Sequence, residues 1–182
     1  KRQREDNRED DVFSLIGPKR YDAPWKDIES QGYIAPADCV EVRVGLSDSD
    51  RMAYATSEPD ERYRFASCAT VKDPVVERIV AKHDGEPTLV IGQYLDQLET
   101  IAGRLNADLI TGETSVAVRQ KLFQQFRDGE ITKLVVSKVA NFSIDLPEAS
   151  VAIQISGTFG SRQEEAQRLG RVLRPKADGR TA

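Results

Sequence analysis

The chain has 182 residues, 39% of them hydrophobic and 31% charged, with a formal net charge of -4; this suffices for one core of ordinary size and one main domain. No apolar run approaches the ~18 residues that a membrane helix needs, and the opening KRQREDNREDD lacks the apolar stretch of a secretory signal. The negative balance excludes a protein that coats nucleic acid through its overall field, so any such contact must come from local groups.

Charge dominates the first ten residues, and residues 1–38 are expected to form a charged segment and connector from a preceding domain, with the main domain over 39–182. A short helix is predicted between Pro24 and Gly32, and the alternating, β-branched run Cys39 to Val44 predicts a strand. Ser47 to Asp50 caps a helical stretch toward Ser67, interrupted near Pro59. Asp73 and Pro74 open a helix with Val75, Val76, Ile79 and Val80 on its buried face. His83 follows, beside Asp84 and Gly85 at a helix end, where a cation suits the dipole. With one histidine and two scattered cysteines, Cys39 and Cys68, no metal site is expected. Both thiols are read as reduced, small core residues, and the expected compartment is the cytoplasm, near the nucleoid in a bacterium.

From Thr88 the pattern becomes regular. The apolar runs Thr88–Gly92, Ala107–Thr111, Lys133–Ser137 and Val151–Ile155 predict strands. Between them lie a helix with Leu95, Leu98, Ile101, Ala102 and Leu105 on one face, and another capped by Thr114 or Ser115 and carrying Val118, Leu122, Phe123 and Phe126. Gly129 ends that second helix. Short strands alternating with helices argue for an α/β fold with a mostly parallel sheet, whose ligands sit beyond the carboxyl ends of the strands.

The last helix, SRQEEAQRLGRVLRP, carries the most chemistry. Ser161 and Glu164 form a capping box, and Pro175 ends the helix. Gln167, Arg171 and Arg174 are spaced i, i+4, i+7 and share one face, while Leu169, Val172 and Leu173 point elsewhere. Gly170 costs about 1 kcal/mol against alanine in mid-helix, which calls for a close approach of backbone or ligand. Spacing alone fits a solvated face pairing with Glu164 and Glu165 equally well. Guanidinium groups so placed also suit phosphate oxygens bidentately.

QRLGRVLRP resembles motif VI of the superfamily-2 helicases, and SKVANFSIDLPEA resembles motif V, its ending being close to the XPB (Rad25) branch. TLVIGQYLDQL is similar to motif IV, and Thr111-Gly112 to the strand-end Thr-Gly that touches a nucleic-acid phosphate. Arg4-Glu5-Asp6 and GPKRYDAPWKDI agree with the same branch. The resemblance implies a RecA-like three-layer sandwich acting as the C-terminal lobe of a 3′–5′ DNA helicase in DNA repair. Carried over by position, Gln167, Arg171 and Arg174 would meet the γ-phosphate of ATP, with Gly170 beside them, and Asp145 would meet the ribose. Thr111, Gly112 and Ser137 would contact DNA phosphates, with charge added by Lys138. Read from the residues alone, Asp145 is also a turn carboxylate and Ser137 a strand-end hydroxyl. Phe142-Ser143 stands where many relatives have Arg-Gly, so that arginine's contact is not carried over.

No G-x-x-x-x-G-K-[ST] loop and no D-E-x-[HD] motif occurs in the chain. ATP and Mg2+ are therefore expected to be held mainly by an N-terminal RecA-like lobe upstream, with the arginines acting in trans, and these 182 residues alone should hydrolyse ATP negligibly. Expected partners are DNA, that first lobe, and a repair nuclease or other repair proteins. A non-motor lobe serving protein interaction or regulation is the competing reading. A receiver-like or flavodoxin-like domain fits poorly, because Asp108 and Asp145 do not supply the acidic cluster a receiver needs.

Overall fold

Residues 24–31, 38–137 and 149–157 are described by the structure, a computed structural model. Six α-helices and four strands occur among them. They run α1 (Trp25–Ser30), α2 (Asp48–Thr56), α3 (Pro59–Ser67), a 3-10 turn (Thr70–Lys72), α4 (Asp73–Lys82), β1 (Thr88–Gly92), α5 (Leu95–Leu105), β2 (Asp108–Ile110), α6 (Val116–Arg127), β3 (Lys133–Ser137) and β4 (Val151–Gln154). All strand pairings are parallel, in the order β2-β3-β1-β4. The Ser161–Pro175 helix and the motif V segment from Lys138 to Glu148 lie outside the described residues.

Side chains alternate across a parallel sheet, so each strand feeds two cores. Val90, Val135, Ile153 and Ile155 pack with Val76 and Val80 of α4 and with Leu98, Ile101, Ala102 and Leu105 of α5. Leu89, Ile91, Ile110, Leu134 and Val136 face the other way, against Phe123 and Phe126 of α6. Helices therefore cover both faces, as the continuous apolar runs predict. Each fully buried side chain contributes about 1.5–3 kcal/mol relative to exposure. Between α4 and α5, the Arg104 guanidinium reaches both the buried Asp73 carboxylate at 3.5 Å and Glu77 at 3.1 Å. Burial pushes the Asp73 carboxyl above its ordinary range, against the pull of Arg104.

Helix ends follow the sequence signals. Ser115 caps α6 by accepting from the Val118 amide at 3.4 Å. Gly129 adopts φ 76°, the left-handed region that ends a helix at little cost to glycine. Ser47 caps α2 by accepting from the Asp50 amide, and the break before Pro59 separates α2 from α3.

One predicted strand does not form. Residues 38–47 have no regular structure, and Val40 and Val42 are 74% and 52% exposed. Alternation is a preference for a pleated surface with a neighbour to pair with, and none of the four strands pairs with this run. Cys39 lies in it and is exposed, so it is not a core residue, whereas Cys68 is half-buried.

Candidate functional site

The carboxyl ends of the four strands fall in one row. Gly92 of β1 is level with Ser137 of β3, Ile91 with Gln154, and Ile110 with Val136. One residue further, the row reads Thr111, Ser137, Gly92, Ile155. Parallel register thus brings together two of the residues picked from sequence, Thr111 and Ser137, on adjacent strands about 4.8 Å apart. Gly112 follows Thr111 and is exposed. Lys138, Asp145, Gln167, Gly170, Arg171 and Arg174 lie outside the described residues.

The Thr111–Ser115 loop closes on itself. The Thr111 amide donates to Thr114 Oγ1 at 2.9 Å, the Glu113 amide to Thr111 Oγ1 at 3.2 Å, and the Thr114 amide to the Thr111 carbonyl at 3.3 Å. Behind it stands Arg119 of α6, whose Nη2 donates to the carbonyls of Thr111 at 3.2 Å and Thr114 at 3.1 Å. Among the described residues, Arg119 Nε is buried with no partner and no carboxylate pairs with this guanidinium. A cation without a counter-charge among the described residues, behind a turn whose Gly112 is exposed, makes the turn attractive to an anion. The sequence signal was weak, because reading α6 for its apolar face passes over a polar position four residues after the cap.

Ser137 is 2% exposed, and its Oγ has no hydrogen-bond partner among the described residues. A buried hydroxyl left unsatisfied costs about 1–3 kcal/mol, which favours any arrangement that gives it an acceptor or donor. Next to it, Gly92 admits β4 closely: a Cβ there would meet Leu98 Cδ2 at 2.8 Å, Ser156 Oγ at 3.0 Å and Ile155 Cγ1 at 3.1 Å. The Gln93 amide donates to Ser156 Oγ at 2.8 Å, and the Ile155 amide to the Ile91 carbonyl at 2.9 Å. The described donors along this edge are hydroxyls, amides, the Arg119 guanidinium and the Lys72 ammonium, a set that suits phosphate oxygens rather than a metal ion.

Replacing Arg119 by methionine keeps much of the aliphatic stem and removes the charge. If the turn takes a DNA phosphate, as the sequence resemblance implies, this is expected to weaken DNA binding by the intact protein about tenfold, roughly 1.4 kcal/mol, through loss of the positive charge behind the turn. Filter-binding at several salt concentrations checks it; unchanged affinity would remove Arg119 from the interface.

No helix among the described residues is long and apolar enough to cross a membrane. Among solved structures, the chain is similar to the DEAD-box protein SrmB of E. coli bound to RraA, with TM-score 0.52 and 20% identity over 61% of this chain and 66% of that one. It is also similar to the C-terminal domain of the DEAD-box protein Dbp5, with TM-score 0.51 and 18% identity over 55% and 61%. These likenesses establish the RecA-like fold. By sequence, residues 28–182 match the family described as ERCC3/RAD25/XPB C-terminal helicase. A protein named DNA 3'-5' helicase XPB from Kineococcus radiotolerans is 75% identical over 96% of this chain and 31% of its own length. Its namesake from Mycobacterium tuberculosis is 69% identical over 97% and 32%. An Antonospora locustae protein, named general transcription and DNA repair factor IIH helicase/translocase subunit XPB, is 41% identical over 95% and 26%. The chain thus spans about a third or less of the length of these relatives. With a family match over most of its residues and identities this high, the chain belongs to the ERCC3/RAD25/XPB C-terminal helicase family.

Proposed function

We propose that this chain is the C-terminal motor lobe of an ATP-dependent 3′–5′ DNA helicase or translocase that serves DNA repair. The observation that carries the reading is 75% and 69% identity, across nearly all of the chain, to two proteins named DNA 3'-5' helicase XPB. In this reading, Thr111 and the Gly112 backbone hold a DNA phosphate, with Arg119 behind them and Lys138 adding charge. Ser137 Oγ, unpartnered among the described residues at the end of β3, gains an acceptor in a phosphate oxygen, and contact there requires the strand end to open. Gln167, Arg171 and Arg174 face the γ-phosphate, Gly170 allows close approach, and Asp145 holds the ribose. ATP with Mg2+, held mainly by an N-terminal RecA-like lobe, supplies the free energy of hydrolysis. This chain's residues bind, orient and release, and alternating grip on one DNA strand gives movement. Partners in this reading are DNA, the first lobe, and a repair nuclease or other repair proteins.

Unwinding by the intact protein on duplexes with 3′ or 5′ single-stranded overhangs tests this. ATP-dependent unwinding confined to the 3′ overhang is expected. Absence of any DNA-stimulated ATPase would sink the motor reading and leave a non-motor interaction lobe.

A further inference from the structure

We propose that the hollow at the carboxyl end of β4 is an anion site for a phosphate group, with the Lys72 ammonium as its charge. The hollow, about 280 Å³, is lined by Tyr63, Ser67, Lys72, Ile155, Ser156 and Gly157, among others. Lys72 Nζ donates to the Ser67 carbonyl at 2.9 Å and to the Ile155 carbonyl at 3.3 Å. An ammonium has three donors and two are taken among the described residues, so one remains for a ligand. Two carbonyl dipoles orient the charge without neutralising it, and among the described residues no carboxylate pairs with Lys72.

The position of this lysine is itself unusual. It stands at the N-cap of α4, directly before Asp73 and Pro74, where the helix dipole disfavours a cation. A half-buried cation at the positive end of a helix carries a double electrostatic cost, and a phosphate in the hollow would relieve both parts. Burial pulls the Lys72 ammonium below the ordinary lysine range, as expected of a cation without a counterion. Ser156 adds a hydroxyl: its Oγ accepts from the Gln93 amide at 2.8 Å, which leaves its own O–H to donate. The hollow is separate from the Thr111 loop. Three strand spacings, about 14 Å, divide the two edges of the sheet, so Lys72 and Arg119 cannot serve one phosphate.

Only the source of the phosphate, DNA backbone or nucleotide, rests on the motor reading; the site does not. The test is therefore in two parts on the intact protein. In the first, acetylation of Lys72 is followed by peptide mapping as inorganic pyrophosphate is added, with the exposed Lys82 as the internal control. At ten times its half-saturating concentration, pyrophosphate is expected to slow modification of Lys72 about tenfold and to leave Lys82 unchanged. Lack of selective protection overturns the site, whatever the motor does. In the second part, Lys72→Gln is compared with Lys72→Arg. If DNA is the source, Lys72→Gln lowers the slope of log affinity against log salt by about 0.7–0.9, and Lys72→Arg restores it. If nucleotide is the source, DNA binding stays constant and KM for ATP rises in Lys72→Gln alone. Unchanged salt slope and unchanged KM in a folded Lys72→Gln protein that binds DNA and hydrolyses ATP exclude both sources and overturn the assignment of the hollow to either. Protection by pyrophosphate in a protein that neither binds DNA nor hydrolyses ATP would keep the site and remove the motor reading.

Discussion

In the intact protein, Arg171→Ala and Arg174→Ala are each expected to lower the kcat of DNA-stimulated ATPase by about 10³-fold or more, while DNA affinity is retained. An arginine brought to a transferring phosphoryl group from another lobe is worth about 10³–10⁵ in rate, because it meets charge that is largest in the transition state. The i, i+4, i+7 spacing of Gln167, Arg171 and Arg174 predicts a shared helical face, and in the proposed reading all three meet one phosphate. Interactions made only in the transition state leave KM nearly constant when removed, so kcat and kcat/KM should fall together. Lysine at either position should not restore the rate, since a point charge lacks the planar, bidentate fork of guanidinium. The double substitution should cost little more than the worse single one, as groups that act together are not additive. Steady-state ATPase with saturating single-stranded DNA, together with DNA binding by the same variants, measures all of this. Rates within threefold of the unaltered protein for both alanine variants would assign the lobe to interaction or regulation instead.

Sequence was a good guide where one physical signal decided the outcome. Thr88–Gly92 and Lys133–Ser137 are short, bounded apolar runs of the kind that a sheet covered on both faces buries, and both form strands with the expected ends. Ser115 and Gly129 mark α6 through local backbone chemistry that tertiary contacts do not override. Cys39 to Val44 shows the limit of such signals. Its alternation is as clear as that of a strand, but a strand also needs a neighbour with free backbone groups, and that is not written in the run itself. The site divides the same way. Thr111 and Ser137 could be picked as strand ends, and their meeting in one row follows from register. Arg119 and Lys72 could not, because each acts through carbonyls brought near by the fold: Thr111 and Thr114 for the first, Ser67 and Ile155 for the second. The arginine helix is an expectation from spacing and resemblance alone, which is why its test is kinetic.

Gly92 is expected to be the least replaceable residue of the strand-end row. Gly92→Ala should lower stability by about 1–3 kcal/mol, the usual cost of forcing a methyl group into packed surroundings. Three atoms stand in the way of its Cβ, and they do not yield equally. Leu98 Cδ2, at 2.8 Å, belongs to a side chain that is 0% exposed and wedged between α5 and the sheet, so it cannot swing out to solvent. Ser156 Oγ at 3.0 Å and Ile155 Cγ1 at 3.1 Å sit just past β4, and moving them means moving the strand end. That displacement would stretch the bond from the Gln93 amide to Ser156 Oγ and the contact of Lys72 with the Ile155 carbonyl. Ser156→Ala alone should cost about 1–3 kcal/mol, because it leaves the Gln93 amide without its acceptor. In the double variant, removal of Oγ relieves one of the three close contacts and the Gln93 bond is already lost. The combined cost should then fall short of the sum by about 0.5–1 kcal/mol. Urea unfolding of the four proteins in the cycle gives the coupling directly. Strict additivity, or a neutral Gly92→Ala, would mean that β1 and β4 are not locked together at their carboxyl ends. A coupled result would mean that β1 and β4 approach tightly at Gly92 and Ser156, next to the Ile155 carbonyl that Lys72 meets.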